Sequence, residues 1–129
     1  MAHLSQTQFD AFSRDGAIVV ENASSRDALE ALRSAFAVWV EDSRQHVTAY
    51  GTVCDGRPRF DLERDHTPDK PALRRVASPN DISPEFAQVA FDSAMADMAA
   101  DLIGPDVRFH HAKVNSKLPH STTVVKWHQ

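Results

Sequence analysis

The chain has 129 residues, 42% of them hydrophobic and 25% charged, which suits one domain of about 100–200 residues and excludes global disorder. A formal net charge of −4 argues against a nucleic-acid binder, since such proteins show a basic excess. A single cysteine, Cys54, excludes a disulfide framework and fits a cytoplasmic protein, and no apolar run approaches the roughly 20 residues that span a bilayer.

"LSQTQFDAFSRDG" opens with a helix. Ser5 with Gln8 three residues later fits a capping box, Phe9 and Phe12 share a face, and Asp15-Gly16 ends it. "AIVV" then reads as a short buried strand. "NASSRDALEALRSAFAVWVEDS" is a stronger helix capped by Ser24 or Ser25, with Leu29, Leu32, Phe36, Trp39 and Val40 as its core stripe. From His46 to Asn80 the pattern breaks up. "YGTVCDGRPRFDLERDHTPDKPALRRVASPN" holds four prolines and two glycines, so it reads as a long irregular connection with one or two short strands, "RFDLE" among them. Loops of that length usually serve a function. Arg74 and Arg75 lie at its far end; by themselves they are two surface arginines. A third helix follows, with Ser83 as N-cap, Pro84 at its first position, Phe86, Val89, Ala90 and Ala94 on its apolar face and Gly104-Pro105 as its stop.

"DVRFHHAKVNSKLP" alternates. Val107, Phe109, His111, Lys113, Asn115 and Lys117 fall on one face; Arg108, His110, Ala112, Val114, Ser116 and Leu118 fall on the other. The polar face either meets solvent or lines a ligand cavity inside a barrel, and periodicity does not separate the two. From Pro105 onward Asp106 is the one acid against Arg108, Lys113, Lys117 and Lys126, so this part is locally basic. "PHST" makes a turn and "TVVKWHQ" runs back as a strand that stops with no polar tail. His110, His111, His120 and His128 raise a zinc site, but no spacing among them matches a finger or an H-E-x-x-H pattern.

"DLIGPDVRFHHAKVNSKLPHSTTVVKWHQ" resembles the phytanoyl-CoA dioxygenase family of Fe(II)/2-oxoglutarate oxygenases. That family has a G-P-[DN]-V helix stop, a strand with a K-x-N-x-K-x-P-like segment, and W-H-Q-D. "LSQTQFDAFSRDGAIVVENA" is similar to the family's opening helix and D-G-[FY]-[VI]-V strand, and "LRRVASPNDIS" is similar to a segment of some members. The resemblance implies an α+β fold, with helical support over 1–104 and the first strands of a double-stranded β-helix (jelly roll) over 105–129, left incomplete. It implies Fe(II) and 2-oxoglutarate as cofactors and O₂ and a small molecule as substrates. The family's metal motif is H-x-D followed by a distant histidine. His128 matches the first histidine and Gln129 the x, so the aspartate would come next. In such a site two imidazoles and one carboxylate hold one side of an octahedral Fe(II), leaving positions for the oxoacid and O₂.

The same resemblance assigns Asn115 to 2-oxoglutarate, with Lys113 and Arg75 (or Arg74) beside the cofactor, and His111 and Lys117 in the substrate region. His120 departs from the glycine that many members carry after the proline. Three expectations follow. The chain by itself is inactive. It stays off nucleic acid and membranes. Its unpaired strand edges favour self-association. The rival readings are a small non-catalytic α+β binding or structural protein, and a zinc module built on the four histidines.

Overall fold

Ser5 begins the first helix as its residues require. In the computed structural model, which describes residues 3–121, 123, 124 and 126, its hydroxyl accepts from the Gln8 N–H and the Gln8 side chain accepts from the Ser5 N–H, a complete capping box for α1 (Gln6–Asp15). Gly16 closes the helix in the left-handed conformation, φ 74°. Residues 17–20 join no sheet, and Val19 is 88% exposed; the short buried strand read there is absent. Four β-favouring residues do not make a strand unless a neighbour takes their backbone groups.

The chain divides into two units, the first made of residues up to Arg33 with Asn80–His111, the second of Ser34–Pro79 with the chain from Ala112 onward. α2 (Arg26–Asp42) contributes to both. Ser25 Oγ accepts from the Ala28 N–H and so caps it. Of its expected core stripe only Trp39 is buried, while Leu29 is 41% exposed.

In the first unit the single helix expected after Ser83 is two helices, α3 (Pro84–Phe91) and α4 (Ala94–Ile103). Ser83 and Pro84 start α3 as their types dictate. The break falls at Asp92-Ser93, where Ser93 Oγ bonds back to the Val89 carbonyl at 2.6 Å. A serine that competes with the backbone for hydrogen bonds ends a helix more readily than it continues one. The Asp101 carboxylate of α4 accepts from the backbone N–H groups of His3 and Leu4, at 2.6 and 2.9 Å, and Leu4 is buried.

The second unit is an antiparallel sheet in the order β1-β2-β3-β4, made of β1 (Tyr50–Cys54), β2 (Arg57–Leu62), β3 (Leu73–Ala77) and β4 (Lys113–Asn115). Three of these strands lie in the stretch expected to be mostly irregular. Asp55-Gly56 turns β1 into β2 with both residues at positive φ, 53° and 74°, the geometry that a two-residue hairpin requires. β3 is paired on both edges, and Val76 is fully buried. One sheet face carries Tyr50, Phe60, Val76 and Val114 in register. Phe60 stacks on Tyr50 at 4.7 Å and meets the Trp39 ring edge-on at 6.2 Å. The long strand expected over 107–118 is reduced to three residues, Lys113–Asn115, which pair with β3. Its alternation is as expected: Val114 and Ser116 are half-buried, and Lys113, Asn115 and Lys117 are exposed. No strand forms among the described residues after Ser121, and Val124 is 82% exposed. The molecule is thus α+β.

Candidate active site

Two arginines meet one aspartate at a break in the sheet. Asp61 pairs with Arg75 and Leu62 with Leu73, so Arg74 is the extra residue of a bulge in β3. A bulge sets two consecutive residues against one partner and re-aims a side chain. Arg74 Nη1 accordingly donates to Asp61 Oδ2 at 3.0 Å, and the Arg74 carbonyl accepts from the Ser116 N–H at 2.8 Å. On its other edge Arg75 lies directly opposite Asn115, and Ala77 opposite Lys113. Opposed residues share a face, as do residues two apart on one strand. Asp61, Arg75, Asn115 and Lys113 therefore occupy the face away from Phe60 and Val76. The Arg75 Nε–H is buried and has no hydrogen-bond partner among the described residues.

Next to this row lies a cavity of ≈ 180 Å³ lined by Glu63, Arg74, Asn115, Ser116, Lys117 and Thr123. A neighbouring one of ≈ 360 Å³ shares Glu63, Arg74 and Thr123 with it. Glu63 follows β2 and is only 6% exposed. Its two carboxylate oxygens accept from Ser121 Oγ at 2.9 Å and Thr123 Oγ1 at 2.5 Å. The loop from Glu63 to β3 is held by His66. Its Nδ1 accepts from the Ala72 N–H and its Nε2 donates to the His46 carbonyl, each at 2.9 Å, which assigns the Nε2–H tautomer.

The residues singled out from the sequence are thus divided. Arg75, Lys113 and Asn115 share one sheet face, while Asn115 and Lys117 line one cavity together with Arg74. His111 is not part of β4; its Nδ1 lies 2.7 Å from that of His110, and the two rings meet edge to face. His128 lies outside the described residues, as do Val125, Trp127 and Gln129. No three groups among His, Cys, Asp and Glu gather into a metal site among the described residues. No helix among them is long and apolar enough to cross a membrane. Sequence reasoning missed Asp61 and Glu63, because a lone carboxylate in a strand pattern carries no signal until its partners are known.

The phytanoyl-CoA dioxygenase (PhyH) family profile matches residues 12–129 of this chain. The chain belongs to the phytanoyl-CoA dioxygenase family. Among curated relatives of this PhyH member is an ectoine dioxygenase of Sphingopyxis alaskensis, 28% identical over 130 aligned residues, which cover 98% of the chain and 37% of the relative. The chain therefore spans little more than a third of the length of that relative. No solved structure matches it. Within the PhyH profile fall all the residues just described, from the bulge at Arg74 to Thr123.

Proposed function

We propose that this chain carries the 2-oxoglutarate-binding strands of an Fe(II)/2-oxoglutarate-dependent dioxygenase that hydroxylates a small molecule. The observation that carries the reading is the position of Asn115 opposite Arg75, whose buried Nε–H has no partner among the described residues. An unsatisfied buried donor costs about 1–3 kcal/mol, more on a charged group. A carboxylate ligand would remove that cost, since a guanidinium is suited to planar, charge-assisted recognition of carboxylate. Asn115 would add an amide donor and Lys113 a second positive charge on the same face. This donor set fits a dicarboxylic oxoacid.

His128 is proposed as one iron ligand. No H-x-D sequence occurs in the 129 residues, so the carboxylate and second histidine would come from outside them. The bound iron would supply O₂ activation coupled to oxidative decarboxylation of the oxoacid. This chain's own residues would orient the oxoacid: Arg75 and Asn115 by hydrogen bonds, Lys113 by charge, with Lys117 toward the substrate. β1–β4 would then be strands of a double-stranded β-helix.

The test is oxygen uptake and CO₂ release from 2-oxoglutarate with Fe(II). The polypeptide with a complete ligand set should consume both, and the 129-residue chain neither. Turnover by the isolated chain, or none by the complete enzyme, would refute the assignment.

A further inference from the structure

Resting on the 2-oxoglutarate reading above, we propose that the oxoacid held at Arg75 and Asn115 extends into the ≈ 180 Å³ cavity that Asn115 also lines, and that Glu63 is a positioning residue that holds one wall of that cavity in place. That cavity has two limbs from the same end of the chain. Asn115, Ser116 and Lys117 form one, fixed to β3 by the bond from the Ser116 N–H to the Arg74 carbonyl. Thr123 forms the other, beyond a turn closed by the Ser121 N–H on the Leu118 carbonyl at 3.1 Å, with His120 at φ 65°.

No strand pairing secures this second limb among the described residues. A tertiary anchor for it is the Glu63 carboxylate, nearly excluded from solvent, which takes one hydroxyl on each oxygen. Ser121 Oγ also accepts from the Thr123 N–H at 3.2 Å, so the limb and its anchor form one network. A carboxylate suits this role because it offers two acceptors in one plane and no donor. Without it both hydroxyls lose their acceptor and the Thr123 wall is free to swing from Asn115 and Lys117. The role is indirect: Glu63 acts on the oxoacid through the shape of the cavity.

The experiment compares wild type, Glu63→Ala, Glu63→Gln and the double variant Ser121→Ala/Thr123→Val in the enzyme with its complete iron-ligand set. Glutamine keeps one acceptor and offers an N–H to the other hydroxyl oxygen, so it should restore most of the lost function. Glu63→Ala should raise KM for 2-oxoglutarate about tenfold or more, the usual cost of losing a group that orients a site, with kcat at saturating oxoacid retained. The amide of Thr123 should exchange faster with solvent in the same variant without any cofactor present. The double variant should match Glu63→Ala, which keeps the test open if that variant folds poorly. An unchanged KM in the double variant, or an unchanged KM with unchanged Thr123 exchange in Glu63→Ala, would overturn the proposal. So would a Glu63→Gln enzyme as impaired as Glu63→Ala. If wild type itself does not use 2-oxoglutarate, the functional reading fails and the proposal falls with it, a result separate from the variant series.

Discussion

Asn115 stands directly across the β3–β4 ladder from Arg75, and the bulge at Arg74 turns a second guanidinium toward Asp61 beside them. The two arginines then differ in state. Arg74 is paired with Asp61, whereas the Arg75 Nε–H is buried without an acceptor among the described residues. This difference is why the proposed function assigns the anion to Arg75 and not to Arg74.

Arg75→Met should separate stability from function. Removing an unsatisfied buried donor should leave the ligand-free protein as stable as wild type or about 1 kcal/mol more stable, measured by urea denaturation. Loss of a charge-assisted bond of about 1.5–3 kcal/mol should weaken 2-oxoglutarate binding roughly 10- to 100-fold, measured as KM in the complete enzyme. A variant that is destabilised yet binds the oxoacid normally would show Arg75 to be structural.

His66 uses both ring nitrogens to hold the β2–β3 loop, Nε2 on the His46 carbonyl and Nδ1 on the Ala72 N–H. His66→Ala strands the Ala72 N–H and the His46 carbonyl and should destabilise the fold by about 2 kcal/mol. Chemical denaturation reads the loss, and a ¹⁵N spectrum of the native imidazole should show the Nε2–H tautomer.

Gly51 and Gly56 both have positive φ but differ in their surroundings. A Cβ at Gly51 would lie 2.9 Å from Cδ2 of Phe60, whereas nothing lies within 4 Å of one at Gly56. Gly51→Ala should cost about 2–3 kcal/mol through backbone strain and overpacking together, and Gly56→Ala about 1 kcal/mol through strain alone. Equal losses would show that the ring of Phe60 moves freely.

Asp101 is held below the usual carboxylate range by the backbone N–H groups of Leu4 and His3. A folded value below the unfolded one means that its contribution is present above the ordinary carboxylate range and is lost as pH falls through the folded value. Acid titration should therefore move the Leu4 amide resonance toward a random-coil position. Asp101→Ala should place it there already at neutral pH, while α4 stays helical by circular dichroism.

Local chemistry was legible in the sequence. Ser5 with Gln8, Gly16, Ser83 and Pro84 start and stop helices by contacts within one turn, so their positions follow from residue type alone. The hairpin at Asp55-Gly56 carried its own signal, obscured by the prolines around it. The split at Ser93 and the exposure of Val19 and Leu29 were not legible, because each depends on what packs nearby.

The sequence by itself determined the capped helices, the alternation from Ala112 to Lys117 and the family, because these rest on neighbours a few residues apart or on motif identity. Only the tertiary structure decided that Arg75 faces Asn115, that a bulge turns Arg74 onto Asp61, and that Glu63 binds Ser121 and Thr123. Those partners are 40 to 60 positions apart in the chain (75 to 115, 63 to 121 and 123) or depend on a one-residue slip in register. A strand's side chains take their meaning from the strand beside it, and no local pattern names that strand.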